Sequence, residues 1–418
     1  MFKKRRNDYL NLVSNESLSI FYSGFAPHLS NDAYYPFHVN KNFWYLTNID
    51  QAGAILLMGK SKALKDSYLF IKKIDPVEAL WVGASLSFEE ASKLSGIPLE
   101  NIKDIQEFDS FLGQLLTQTR RALFGIIENV YFDVERQSPL DPPLLGEAKA
   151  SAFQSKYPYM TIKNAHPILS DLRSKKDATE IEAIKGAIAI SNIANEALLK
   201  RLKTATNESD LFAEFNYVLN QHQTKPSFNE IIASGKNATI LHYEKNNEPI
   251  GKDDLVLLDL GVRYKQYASD ITRTYPASGR FSPRQKSVYE AVLNVNKEII
   301  SWVKAGVTQF EYNLKGKELL TKAAKDLGLI EKDEDIIKYY YHGLGHALGL
   351  DVHDVGDPTK PFEVGQVITV EPGLYIAEEN IGVRIEDNLV LTEDGCINLS
   401  KDIIKEVKDI ENFLKDSK

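Results

Sequence analysis

Two acidic pairs, Asp259 with Asp270 and Glu371 with Glu386, stand in strand-like runs whose spacing folds each pair onto itself. No other feature constrains this chain as strongly. Residues 254–260 form a short apolar run of the kind that makes a buried strand. Residues 270–275 alternate polar and apolar side chains until Pro276 ends the run, and a turn-like stretch, 261–268, lies between. A hairpin centred between Tyr264 and Lys265 sets Asp259 directly opposite Asp270, and directly opposed residues share a face with Cβ atoms about 4.5–5.5 Å apart. The construction recurs in residues 367–371 and 383–391. A turn centred between Glu378 and Glu379, with Asn380 and Gly382 as turn formers, sets Glu371 opposite Glu386. A one-residue slip sends the partners of either pair to opposite faces, so the register is a sharp expectation.

Four carboxylates aimed at one place repel each other unless cations sit between them. With His346 as a fifth donor the set is rich in oxygen with one nitrogen, the composition of a two-metal hydrolytic centre. A single acid in a strand is ordinarily an ion-pair or turn residue; two register-matched pairs beside a histidine motif are what set these apart. Of the eight histidines, His342, His346 and His353 fall within residues 342–354, where Gly343, Gly345 and Gly349 argue against a plain helix. The plain alternatives are a loop with solvated imidazoles and, for His242 in the apolar run 240–243, a satisfied core histidine.

Residues 257–276 (LLDLGVRYKQYASDITRTYP), 342–354 (HGLGHALGLDVHD), 370–376 (VEPGLYI) and 382–388 (GVRIEDN) together resemble the pita-bread metallopeptidases. Within that superfamily the chain resembles the Xaa-Pro aminopeptidases, also called aminopeptidase P, and their close relatives the prolidases. Residues 35–47 (YPFHVNKNFWYLT) are similar to the N-terminal domain of aminopeptidase P. The resemblance implies an α/β (α+β) fold. A smaller N-terminal α/β domain with a mixed sheet, residues 1–170, would precede a pita-bread catalytic domain with pseudo-twofold halves, residues 171–418.

It also implies roles. Asp259 would chelate one metal, His346 with Glu371 would hold the other, and Asp270 and Glu386 would bridge both. A hydroxide between the metals would be the nucleophile, since two divalent cations lower the pKa of bound water. Glu371 would carry its proton to the leaving nitrogen. His242 and His353 would line the substrate cleft at the scissile region, with His342 nearby. Arg384, placed on the strand face opposite Glu386, divides between substrate contact and a structural ion pair beneath the metals. Thr272, on the same face as Asp270, is a candidate hydrogen-bond partner within the site. The hard donor set favours manganese, the family's metal, with cobalt, iron or zinc as other occupants.

Bulk properties agree with a two-domain enzyme. At 418 residues, two sizeable cores are expected, and 26% charged with 43% apolar residues is an ordinary globular balance. A net charge of −8 argues against a nucleic-acid partner. The basic start, Lys3 to Arg6, is followed by polar residues rather than an apolar core, so neither a signal peptide nor a membrane span is expected and the cytoplasm is the simplest address. Cys396 is the sole cysteine, which leaves no disulfide within the chain. Strands are expected at 53–58 and 68–71 and helices at 88–94 and 108–121. Residues 173–176 read as a polar connector. Asp177 with Glu180 reads as a capping box opening a long helix through Ile181, Ile184 and Ile188, and further helices are expected near 284–304 and 312–327.

Three readings follow. The first is an aminopeptidase removing the residue ahead of a second-position proline, working as a homodimer or homotetramer. The second is a prolidase confined to dipeptides, which the short link 375–382 leaves open. The third is an inactive pita-bread module for protein binding, which the full set of five donors and three cleft histidines opposes.

Overall fold

The computed structural model describes residues 1–117, 123–136, 138–140 and 142–416, which divide into two compact units, Met1–Leu172 and Arg173–Lys418. The first is built on a six-stranded mixed sheet. Ser17–Tyr22 pairs antiparallel with Ile55–Lys60 and parallel with Asn129–Phe132, and the outer strands Lys65–Ile71, Ile102–Asp104 and Thr161–Asn164 complete it. Leu18, Ile20, Leu57, Phe70, Val130 and Phe132 fill its core. The motif at 35–47 becomes the helix Lys41–Thr47, which Asn40 caps by accepting from the Phe43 N–H at 2.8 Å. The helix expected over 108–121 ends at Leu116, where Thr117 turns extended; residues 118–121 lie outside the described residues.

In the second unit the helix Ala178–Leu202 opens on the Asp177–Glu180 capping box. Helix Pro283–Trp302 starts with Ser282 capping and proline in its first turn, and Gln309–Asp326 is capped by Thr308 with Glu311. These helices and the strands bury one continuous apolar cluster that includes Ile190, Leu258, Val288, Leu320, Ile368 and Val383. The expected polar connector is not one. Arg173 and Lys176 are buried, and both bind the buried carboxylate of Asp354, at 2.6 and 2.9 Å.

Both acid-bearing hairpins form; the ladders break at Asp270, Glu371 and Glu386, while Asp259 stays within its strand. In the first, Leu255–Leu260 pairs with Ile271–Pro276, and beyond a break at Gly261 and Asp270 the ribbon resumes as Val262–Tyr264 against Tyr267–Ala268. Its tip is Lys265-Gln266, with φ +48° and +68°, the positive pair that a two-residue hairpin turn demands. The turn therefore centres one residue later than expected, which moves every partner by two. Asp259 faces Thr272, not Asp270. Because the slip is even, Asp270 stays on the face of Asp259 as its diagonal neighbour.

The second hairpin keeps the expected register. Val370 pairs with Asp387 and Gly373 with Arg384, which brackets Glu371 and Glu386 across from one another. The single strand expected over 383–391 is two, Ile381–Arg384 and Asp387–Leu391, interrupted at Ile385 and Glu386. Asn380 supplies the left-handed residue of the turn, at φ +54°.

Candidate metal centre

A pleated ladder holds side chains at fixed spacing but spends its backbone groups on pairing. At the two breaks the backbone is released, and the acids turn into a common space. Glu386 keeps its position because its N–H donates to the Thr272 carbonyl at 3.0 Å, tying the second hairpin to the first. Asp270 is held by Asn388, whose side-chain amide accepts from the Asp270 N–H at 3.2 Å and donates to its carbonyl at 2.6 Å.

His346 arrives from the loop before the second hairpin. Its N–H donates to the Thr369 hydroxyl at 3.0 Å, and the Thr369 N–H donates to the His346 carbonyl at 2.9 Å. Gly345 is required there: a Cβ at that position would sit 2.2 Å from the Thr369 carbonyl oxygen. The imidazole Nδ1 lies 3.0 Å from the Ala347 carbonyl, which can only accept, so Nδ1 carries the proton and Nε2 presents its lone pair. That lone pair faces Asp270 Oδ2 at 3.4 Å and Glu371 Oε1 at 3.5 Å. One donor atom each from Asp270, His346 and Glu386 lie within 4.8 Å of one another.

Three acceptors turned toward each other make sense around cations, and two further observations fit. Among the buried side-chain atoms without a hydrogen-bond partner are Asp259 Oδ1 and Glu386 Oε1. Burial, and after it the charges of neighbouring carboxylates, pushes Asp270 and Glu386 well above the ordinary carboxylate range. Burial raises Glu371 as well, with His346 and Arg384 opposing. A divalent cation removes this conflict by replacing protons as the counter-charge. The donor set therefore fits divalent metal.

Arg384 stands on the same side as Glu386, contrary to the expected opposite face, because residues two apart in an extended chain point the same way. Its guanidinium binds Asp259 Oδ2 at 2.7 Å, the Thr272 hydroxyl at 3.1 Å and the Tyr375 hydroxyl at 3.0 Å. Thr272 in turn donates to Glu386 Oε2 at 2.7 Å. Arg384 thus makes an ion pair with Asp259, and Arg273 with Asp387 makes a second, buried one beside it. Tyr375, to which the sequence assigned no role in the site, also reaches His342 Nε2 at 2.8 Å. Its signal was parity, since residues 371, 373 and 375 share a face.

The acids open into a cavity of about 720 Å³ that His242, His342 and His353 also line. The His353 ring stands 4.0 Å from that of His346, centroid to centroid. Burial, reinforced by the neighbouring histidines, depresses His353 to about 4; burial and then Arg384 depress His342 to about 4. Both are neutral hydrogen-bonding groups at physiological pH.

The sequence profile of metallopeptidase family M24 matches residues 182–393, and that of the aminopeptidase P N-terminal domain matches residues 2–124. The chain belongs to metallopeptidase family M24, among the Xaa-Pro aminopeptidases. It is 33% identical to the Xaa-Pro aminopeptidase of Haemophilus influenzae, over 99% of this chain and 96% of that one. The Escherichia coli Xaa-Pro aminopeptidase is 31% identical, over 99% and 97%. A Bacillus anthracis structure, named only provisionally as an aminopeptidase P, superposes with a TM-score of 0.95 at 42% identity, covering 100% of this chain and 98% of the other. Escherichia coli aminopeptidase P bound to the inhibitor Pro-Leu gives 0.87 at 28% identity, with the same coverage. The mixed α/β architecture is thus an aminopeptidase P N-terminal domain joined to a pita-bread metallopeptidase domain, and the family is one of divalent-metal enzymes. Among the described residues no helix is long and apolar enough to cross a membrane.

Proposed function

We propose that this chain hydrolyses the bond between the first residue of a peptide and a proline in second position, using two divalent cations held by Asp259, Asp270, His346, Glu371 and Glu386. The observation that carries the reading is the meeting of buried carboxylates and one imidazole lone pair in a cavity of substrate size, with Asp259 Oδ1 and Glu386 Oε1 unpartnered. Full-length similarity to Xaa-Pro aminopeptidases supports the substrate class. When bound, the cations supply an activated water and a positive charge at the scissile carbonyl. Manganese suits the hard, oxygen-rich donors. The family resemblance further implies a cytoplasmic homodimer or homotetramer.

The chain's own groups do the rest. An Xaa-Pro nitrogen carries no hydrogen before cleavage, so the leaving ring must be given a proton. Glu371, with burial raising its affinity for one, accepts the proton of the attacking water and hands it to that nitrogen. Neutral His353 and the exposed His242 donate hydrogen bonds toward the carbonyl as its charge develops. Arg384 fixes the second carboxylate oxygen of Asp259 and leaves the first for metal.

Exhaustive chelation should abolish hydrolysis, and manganese should restore it at about two ions per chain. Full activity in a protein shown free of metal would sink the reading. An Xaa-Pro dipeptide and an Xaa-Pro-containing tetrapeptide assayed side by side should both be cleaved; cleavage of the dipeptide alone would make the enzyme a prolidase.

The histidines separate by role. His346→Ala should lower metal content and activity together. His353→Ala should keep its metal and lose kcat on the order of 10²–10³-fold, the effect of removing a donor to a developing oxyanion. Equal metal loss in the two variants, measured by elemental analysis, would make His353 a ligand instead.

A further inference from the structure

Glu208 is a carboxylate with no exposed surface, on the first turn of the helix Glu208–Gln221 and outside the metal set. Burying a charge requires full hydrogen bonding, and Glu208 has it. One oxygen accepts from the Ser234 N–H and hydroxyl, both at 2.8 Å, and from the Asn237 amide at 3.0 Å. The other accepts from the Tyr243 hydroxyl at 2.7 Å and the Glu248 N–H at 3.0 Å. All five donors belong to one segment, 234–248, and they span it from end to end. That segment carries His242.

The geometry has a direction. Tyr243 is buried, with its ring in a small apolar cluster with Ile231, Leu257 and Tyr375 and its hydroxyl on Glu208. His242 is exposed and lines the cavity. Anchoring Tyr243 inward fixes the backbone that turns its neighbour out toward His342 and His353. We propose that Glu208 is a positioning residue for the reaction: it aims His242 at the scissile carbonyl through Tyr243. The inference rests on the reading of His242 as a substrate contact.

Glu208→Gln keeps the shape but turns an amide toward donors; whichever way it flips, one backbone N–H, of Ser234 or of Glu248, loses its acceptor. Tyr243→Phe removes one link and keeps the ring. On an Xaa-Pro tetrapeptide with saturating manganese, Glu208→Gln should lose kcat roughly 10-fold or more, the scale of a mispositioned group, and Tyr243→Phe somewhat less. Metal content should match the parent in both. In a cycle with His242→Ala, adding Glu208→Gln should cost kcat nothing further, because the residue it aims has gone. That non-additivity is what a merely structural role would not produce. Multiplicative losses, or metal falling in step with activity, would overturn the proposal. A His242→Ala enzyme at the parental rate sinks the reading of His242 and the inference with it. A crippled His242→Ala beside an unaffected Glu208→Gln sinks the inference alone.

Discussion

Glu386→Gln is expected to cost activity and add stability at once. The amide keeps the volume and can still accept the Thr272 hydroxyl, at 2.7 Å in the parent, but it removes a negative charge from the space that Asp259, Asp270 and Glu371 also face. An amide is a poor substitute for a carboxylate that would hold metal, and several kcal/mol of charge stabilisation would go with the cation, so kcat should fall on the order of 10³-fold or more even with excess manganese. The metal-free protein should behave oppositely. Burial and mutual repulsion raise Glu386 and Asp270 far above their unfolded values. An acid whose folded pKa is raised binds its proton more tightly in the native state. The chelated protein therefore loses stability as pH rises from the unfolded carboxylate range, about 4, toward the raised values, while below that range the groups cost nothing. Glu386→Gln should flatten that slope and unfold at a higher denaturant concentration than the chelated parent near pH 7. Saturating the parent with metal should reverse the order. A chelated Glu386→Gln protein less stable than the chelated parent would mean that the carboxylates are not in conflict.

That conflict was legible in the sequence because parity survives errors in register. The first hairpin turns on Lys265 and Gln266, neither of which advertises the positive φ it adopts, so nothing local marked the true centre. The slip was even, and Asp259 and Asp270 still share a face. In the second hairpin Asn380 marked the turn, and the ladders follow it. The breaks at Gly261 and Asp270 and at Glu371 and Glu386 were not legible, since they arise when Asp270, Glu371 and Glu386 leave their ladders for contacts elsewhere in the chain. The buried cations at 173–176 read as a linker because their partners, Asp351 and Asp354, lie about 180 residues away. Glu208 was hidden for the same reason: its donors gather only when residues 234–248 fold over it.

Asp387→Ala is expected to be the most destabilising single change in the catalytic unit. Asp387 is fully buried beside the acids, bound to Arg273 at 2.8 Å, to the Ser400 hydroxyl at 2.9 Å and to Lys405. Arg273 is itself buried; its terminal N–H groups also reach the carbonyls of Thr272, at 2.9 Å, and of Ile403 and Glu386, while its Nε is without a partner. Removing the carboxylate leaves a guanidinium in the interior without its ion-pair partner, and breaking a buried pair in this way costs about 3–5 kcal/mol. Despite burial, the Arg273 and Lys405 charges and the hydrogen bonds hold Asp387 down at about 2. A depressed acid contributes stability that is fully present above its unfolded value and is lost as pH falls through the folded one. The parent should therefore weaken between about pH 4 and pH 2, and Asp387→Ala should lack that part of the acid transition. Pairing the substitution with Arg273→Met should recover part of the loss, because the stranded charge goes with it. The effect should reach the metals too, since Arg273 grips the carbonyl of Glu386 and the residue carrying Thr272. Manganese affinity should fall in Asp387→Ala although no donor has been touched. Parental stability in denaturant, or a double variant worse than the single, would show that Arg273 is satisfied without Asp387.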